Sequence, residues 1–145
     1  MPGAPVALCV PGALASGAMV ADGSRSVRAG AGAVVNVCGT CHADVLEQYR
    51  TSVHGREVAS GNTAAAVCAD CHSRHGVGDV HDAAGRVAIT ESCGSCHQDS
   101  LKTYENTYHG KITRLGYGET AKCYDCHGAH QIQRLDDPAS SMHVD

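Results

Sequence analysis

The sequence predicts a mostly irregular fold with a few short α-helices, arranged as two tandem copies of one module. Three observations support this prediction. Leu, Ile, Val and Phe together account for only 24 of the 145 residues, and both Phe and Trp are absent. That share falls below the roughly 20% at which a chain struggles to build a core from its own side chains. Gly, Ser and Asp are frequent, and no alternating apolar pattern persists long enough to indicate a sheet. The third observation is an internal repeat.

The repeat divides the chain into modules. Residues 38–82 align without a gap with residues 93–137, and 17 of the 45 aligned positions are identical. Such a duplication indicates that each copy is one structural unit. We therefore predict a leader or tail over residues 1–35, a first module over 36–90, and a second module with a C-terminal tail over 91–145.

The leader or tail is rich in Ala, Gly, Val and Pro and contains no histidine. Residues 4–21 carry no charge, but prolines and glycines interrupt them, so they make a poor membrane span. Their small residues suit cleavage of a secretory leader, although no Lys or Arg precedes them. An export leader and a plain tail both stay open for this segment. Cys9 lies within it and belongs to no motif.

One helix is predicted early in each module, where apolar residues recur at i, i+3 and i+7. These positions are Leu46, Tyr49 and Val53 in the first module and Leu101, Tyr104 and Tyr108 in the second. The glycines that follow, Gly55 and Gly110, are predicted to end the two helices.

Four CxxCH motifs carry the chemistry. They are Cys38-Gly-Thr-Cys41-His42, Cys68-Ala-Asp-Cys71-His72, Cys93-Gly-Ser-Cys96-His97 and Cys123-Tyr-Asp-Cys126-His127. Two thiols three positions apart can form thioether bonds to the two vinyl groups of one haem, and the next residue then places an imidazole on the iron. The motifs therefore predict four covalently bound haem c groups, with the two modules wrapped around a chain of four haems.

Zinc binding and thiol–disulfide chemistry are the alternatives for a CxxC pair. Neither explains why a histidine follows all four pairs directly. Because haem attachment uses eight of the nine cysteines, we expect none to be left for a structural disulfide.

Six further histidines decide what the irons can do. Four of them recur at the same place in both modules and are predicted to be the distal ligands: His54, His75, His109 and His130. The irons would then be bis-His, six-coordinate and low-spin, with His42, His72, His97 and His127 as proximal ligands. Which distal histidine serves which iron stays open, as do the roles of His81 and His143.

A six-coordinate iron has no open position for a substrate, so these sites predict electron transfer rather than catalysis. The alternative is a multihaem reductase of nitrite, hydroxylamine or a sulfur compound, which would need one open haem beside acid–base residues.

Charge and compartment limit the partners. The formal net charge is −4 and no basic run occurs, which argues against a nucleic-acid partner. Haem propionates would add negative charge, so redox protein donors and acceptors with basic docking faces are expected. Haem attachment on the oxidising side of a membrane predicts an extracytoplasmic location, periplasmic or extracellular. No integral membrane span is expected.

The order of these motifs resembles that of the multihaem c-type cytochromes of anaerobic respiration. The first module reads CGTCHAD, Tyr49, SVHG and CADCHSRH, and the second reads CGSCHQD, Tyr104, TYHG and CYDCHGAH. Within that family the layout is similar to tetrahaem subunits of extracellular cytochrome filaments, or nanowires. That resemblance implies a homopolymer with stacked haems, in which a neighbouring subunit can lend a ligand. A filament subunit and a soluble shuttle both stay open.

Overall fold

The computed structural model describes residues 30–73 and 75–144, which form eight short α-helices and contain no strand. The helices are α1 Ala31–Gly39, α2 Ala43–Thr51, α3 Val53–Ala59, α4 Cys68–His72, α5 Ala83–Cys96, α6 Gln98–Asn106, α7 Tyr108–Arg114 and α8 Cys123–His127. The prediction of short helices without a sheet is confirmed for the described residues. The prediction of a mostly irregular chain is wrong there, because the eight helices cover more than half of those residues. Most of the predicted leader, including Cys9, lies outside the described residues.

The helices repeat with the sequence. Helices α2, α3 and α4 recur as α6, α7 and α8, and each begins and ends 55 residues later than its counterpart. Helix α5 is longer than α1 and runs through the predicted module boundary at residues 90 and 91. Within each module the first helix packs on the next and on the helix of the second CxxCH motif, and α4 packs on α5 to join the modules.

The predicted helix of each module breaks in two at a hydroxyl cap. The side chain of Ser52 accepts a hydrogen bond from the Gly55 amide at 3.0 Å, and Thr107 accepts one from the Gly110 amide at 3.2 Å. A capping hydroxyl starts a new helix, so Val53 lies in α3 rather than at the end of α2. The apolar stripe of Leu46, Tyr49 and Val53 therefore spans two helices.

The prediction that Gly55 and Gly110 end helices is wrong, because both lie in the first turn of the helix that follows the break. A Cβ at Gly55 would overlap the carbonyl oxygen of Tyr49, and one at Gly110 would overlap that of Tyr104. Glycine is required here because the backbones of consecutive helices meet too closely for a side chain.

The apolar core is small. Among the described residues, the buried apolar side chains are Val35, Ala65 and Val67, and they are joined by the polar Ser52, Thr90 and Lys122. This agrees with the shortage of large apolar residues in the composition. Caps and side-chain hydrogen bonds to the backbone fix much of the geometry instead. No helix in the described part of the chain is long and apolar enough to cross a bilayer.

A second contact joins the modules where the chain returns after His130. Residues 131–137, here called the cover segment, lie over the first turn of α3. The Val53 amide donates to the Ile132 carbonyl at 2.8 Å, and the Gln133 amide group donates to the Thr51 carbonyl at 2.9 Å. Arg56 hydrogen bonds to Gln133 at 2.8 Å and lies 3.6 Å from a carboxylate oxygen of Asp137. The second module thereby covers the junction between α2 and α3 in the first module.

Gly55 and Gly110, which lie where consecutive helices meet, allow a test of stability. Replacing Gly110→Ala should lower the free energy of unfolding by about 1–3 kcal/mol, since the new methyl group forces the two helices apart. Gly78→Ala is the matched control, because a Cβ there meets nothing within 4 Å, and its effect should stay within about 0.5 kcal/mol. Urea unfolding followed by circular dichroism measures both. Equal losses of unfolding free energy in the two variants would refute the packing role of Gly110.

Candidate functional site

Three of the four CxxCH motifs hold both cysteines within one helix, whereas in the first motif Cys41 lies two residues beyond the end of α1. The second and fourth motifs are themselves single-turn helices, α4 and α8, in which the two cysteines lie at i and i+3 on the same face. Carboxylates start both turns. Asp70 accepts from the Val67 amide at 2.8 Å, and Asp125 accepts from the Lys122 amide at 2.7 Å. The first and third motifs close α1 and α5, and their histidines begin the next helix.

The four motifs follow one another in space as they do in sequence. Cys38 lies close enough to Cys68 to raise the pKa of that thiol, and 55 residues later Cys123 raises the pKa of Cys93 in the same way. Cys71 lies close enough to Cys96 for the two charges to interact. The second motif thus meets the third across the module boundary, and the four sites form one continuous series.

The fourth motif differs electrostatically from the second. The hydrogen bond with Cys93 and the nearby Lys122 ammonium lower the pKa of Cys123 to about 7, against the effect of burial. Burial and Cys38 raise the pKa of Cys68. Lys122 replaces Val67 at the equivalent buried position, and its ammonium donates to the carbonyls of Gly118 and Thr120 at 2.8 and 2.6 Å. Cys123 is therefore the more readily ionised thiol.

One cysteine departs from expectation. Cys41 is disulfide-bonded, whereas the other seven motif cysteines are free thiols. The prediction that no cysteine is left for a disulfide is therefore wrong at this position. A disulfide and a thioether compete for the same sulfur atom, so only one of them can form at Cys41.

Two pairs of histidine rings face each other across the modules. The ring centroids of His54 and His97 are 6.2 Å apart with an interplanar angle of 50°, and those of His72 and His130 are 6.1 Å apart at 26°. Burial, followed by the neighbouring imidazole, lowers the pKa of both His54 and His72. These rings are held neutral, which is the form that binds a metal.

The spacing of both pairs suits one metal ion between two imidazoles. A metal–imidazole bond is about 2 Å long and the ring centre lies about 1 Å beyond the nitrogen, so the centroids of two opposed ligands lie about 6 Å apart. Each pair joins a proximal histidine of a CxxCH motif to one of the four predicted distal histidines. The interplanar angles do not matter for this, because each ring can rotate about its bond to the metal.

A surface cavity accompanies the first pair. It measures about 460 Å³, and the rings of His54 and His97 are part of its wall. The remaining lining residues are Val53, Ile132, Gln133, Arg134, Leu135 and Asp136. The cover segment supplies most of this wall, so the second module builds a pocket on a helix of the first. The wall combines apolar side chains with the Arg134 guanidinium, which forms an ion pair with Asp136 at 3.1 Å.

The structure brings together four of the eight predicted ligands. His42, His75 and His109 are exposed and His127 is half-buried, and none of them forms a ring pair with another histidine among the described residues. His81 is exposed, and Nδ1 of His143 lies 3.3 Å from the Leu135 carbonyl. No three His, Cys, Asp or Glu side chains converge as an ion-binding group in residues 30–73 and 75–144.

The comparisons with known proteins give no relative. No protein-family model, no curated protein and no solved structure matches this chain.

Two hydrogen bonds that position the second and fourth motifs were not predicted from the sequence. The Tyr49 hydroxyl donates to the Ala66 carbonyl at 2.8 Å, and the Tyr104 hydroxyl donates to the Ala121 carbonyl at 2.9 Å. Burial, helped by nearby Cys68, raises the pKa of Tyr49 to about 12, so its hydroxyl stays a donor. Both bonds anchor the loop two residues ahead of a CxxCH motif. The repeated tyrosine was visible in the alignment, but its acceptor was not.

Removing one of these hydroxyls tests the anchor. Tyr49→Phe leaves the Ala66 carbonyl without its donor and should lower the free energy of unfolding by about 1 kcal/mol or more. Tyr117→Phe is the control, since Tyr117 is 58% exposed, and its effect should be near zero. Urea unfolding compares the two variants. A loss no larger for Tyr49→Phe than for Tyr117→Phe would contradict the anchoring role.

Proposed function

We propose that this protein is an electron carrier that holds four covalent haem c groups between paired histidines, and that Cys41 forms a thioether in the haem-loaded protein in place of its disulfide. The observation that carries the proposal is the 6 Å spacing of two histidine pairs, each of which includes the histidine of a CxxCH motif. A zinc site or a redox disulfide needs no second imidazole opposite that histidine. Six-coordinate haem needs a second axial ligand at that place, and an imidazole can supply it.

The cysteines and histidines of the second and third motifs fit such a cofactor. The thiols of Cys93 and Cys96 would each add an S–H bond across a vinyl group, so no atom is lost. His97 and His54 would then bind opposite sides of the iron, and the apolar wall of the cavity would exclude water from one edge. Cys68 and Cys71 would do the same at the second motif, with His72 and His130 as ligands. The bound iron supplies the chemistry by cycling between its ferric and ferrous forms.

At the two sites with paired histidines, both axial positions of a haem would be filled, which supports a carrier rather than an enzyme. The protein's own imidazoles occupy the places where a substrate would bind, so the site accepts one electron from a donor and passes it to an acceptor. The donors and acceptors would be redox proteins. The net charge of −4, made more negative by haem propionates, favours partners with basic docking faces and contacts that weaken in salt.

Free thiols must meet haem where thioether bonds are made, so the proposed location is extracytoplasmic, in the periplasm or outside the cell. The order of the motifs in space supports a conduit. Because the motifs follow one another as first, second, third and fourth, an electron can enter at one end of the series and leave at the other. That layout serves both a diffusing shuttle and a unit of a filament.

The mass of the protein tests cofactor attachment. When expressed with a haem-attachment system and denatured, the chain should carry the mass of four haems, which should resist acid–organic extraction. Cys126→Ser should weaken attachment at the fourth motif, while Ser141→Ala, which removes only the hydroxyl that bonds to the Cys126 carbonyl, should leave four haems. An unmodified polypeptide mass, or haem lost on extraction, would exclude the proposal.

Removing a distal ligand tests the histidine pairing. His54→Ala should leave all four haems attached but convert the one bound by His97 to a high-spin form that binds carbon monoxide or cyanide. Electron paramagnetic resonance measures this change. His81→Ala is the control, because His81 is exposed and lies outside both pairs. All irons in this variant should stay low-spin. A wholly low-spin spectrum for His54→Ala would show that His54 is not a ligand.

A further inference from the structure

We infer that the buried Lys122, helped by Arg86, raises the reduction potential of the site at the fourth CxxCH motif and thereby makes it the place where an electron in the series settles. The inference rests on the proposed function, because it concerns the haem that this motif would hold. It goes beyond that function by assigning a direction to the series of four motifs.

Lys122 carries a charge in the interior of the second module. Its side chain is 1% exposed, and it directly precedes Cys123, the first cysteine of the fourth motif. Its Nζ donates to the carbonyl oxygens of Gly118 and Thr120 at 2.8 and 2.6 Å, and to the Thr120 hydroxyl at 3.3 Å. These three acceptors match the three N–H groups of an ammonium, whereas a neutral amine has only two. The geometry therefore favours the charged form.

Arg86 of α5 brings a second cation to the same place. Its guanidinium lies 3.2 Å from a carboxylate oxygen of Asp125 and 3.9 Å from one of Glu119, and its central carbon lies 5.9 Å from the ring centre of Tyr124. Burial and then Arg86 lower the pKa of Lys122, whereas the two carboxylates raise it. Because two cations share these two carboxylates, the buried ammonium is not outweighed by negative charge.

The first module shows that the fold does not require this charge. The same shift of 55 residues carries Lys122 onto Val67 and Arg86 onto Ala31. Val67 is 3% exposed, so the equivalent position is buried there too, and it is filled by an apolar side chain. Helices α4 and α8 nevertheless have equivalent bounds. Burying an ammonium costs free energy that burying a valine does not, so we look for the use of Lys122 in function rather than in folding.

A buried cation stabilises the reduced form of a nearby iron, because the ferrous form carries one positive charge fewer than the ferric form. Burial keeps water and salt from screening this effect. A unit charge about 12 Å away, in a medium with a dielectric constant of about 20, changes such an equilibrium about tenfold. The same field acts on any electron that reaches the fourth motif, so this site holds it more strongly than it would without Lys122.

The consequence is a direction of flow. One electron would leave a ferrous iron elsewhere in the series, which becomes ferric, and would reduce the ferric iron at the fourth motif. No proton and no further reactant is needed. Cys126 of the fourth motif is exposed, whereas Cys71 of the second lies beside Cys96 of the third. The fourth motif is therefore also accessible to an acceptor protein.

A redox titration of the haem-loaded protein, followed by optical spectroscopy, tests this inference. Lys122→Met replaces the ammonium with an apolar side chain. At a fixed applied potential it should lower the ferrous-to-ferric ratio of one haem about tenfold, which corresponds to about 59 mV. Nuclear magnetic resonance of the haem methyl groups should assign this haem to His127. Lys122→Arg keeps the charge and should keep most of the wild-type ratio. Lys102→Met is the matched control, because Lys102 is exposed on α6, and all four ratios should stay unchanged.

Two further measurements keep the inference open to refutation if Lys122→Met does not fold. Arg86→Gln removes the second cation from a partly exposed position and should lower the ratio of the same haem. In the wild-type protein the fourth haem should have the highest potential of the four. A lower rank for that haem, unchanged ratios in folded variants with four haems, or an equal shift in Lys102→Met would overturn the inference and leave the electron carrier intact. A chain without covalent haem would instead overturn the proposed function.

Discussion

Two opposed pairs of imidazoles, each with one ring from either module, are the constraint around which this chain is arranged. A chain with three buried apolar side chains in its described part has little hydrophobic burial to hold two halves together. Instead, ring centroids 6.2 and 6.1 Å apart bring a histidine of one module beside a histidine of the other. Under the proposed function, coordinate bonds would supply the cohesion that aromatic and aliphatic residues supply elsewhere, and neither module would be complete without the other.

The local structure is built to hold those rings in place. The hydroxyl caps Ser52 and Thr107 start the helices that carry His54 and His109, and the glycine three residues after each cap lets the helix turn sharply away from the one before it. The half-buried tyrosines Tyr49 and Tyr104 fix the loops that lead into the second motif of each module. None of these contacts depends on a large core. They are short-range hydrogen bonds, and they recur at the same offset as the sequence repeat.

Much of this arrangement could be predicted from the sequence, because a repeat and short motifs are local signals. The alignment at an offset of 55 predicts the equivalent helices, and the shortage of large apolar residues predicts the small core. The break at Ser52 could not be inferred from periodicity, since Leu46, Tyr49 and Val53 satisfy one helical stripe. Only the approach of Gly55 to the Tyr49 carbonyl shows that two helices meet there.

The pairing of the histidines could not be predicted from the sequence, for a similar reason. The repeat shows that His54 and His109 are equivalent, but it does not say that His54 faces His97 of the other module. That depends on how the cover segment returns to α3, which is a contact between residues about 80 positions apart. The disulfide at Cys41 was likewise unexpected, because a motif count assigns every such cysteine to a haem.

The most direct measurement is an experimental structure of the haem-loaded protein, refined well enough to identify the axial ligands of each iron. The account predicts one iron between His54 and His97 and another between His72 and His130, each bound to a porphyrin joined to the two cysteines of the adjoining motif. An iron on His97 with a sixth ligand other than His54 would contradict it, and so would disulfides or zinc at the four cysteines of these two motifs, Cys68, Cys71, Cys93 and Cys96, which are free thiols here.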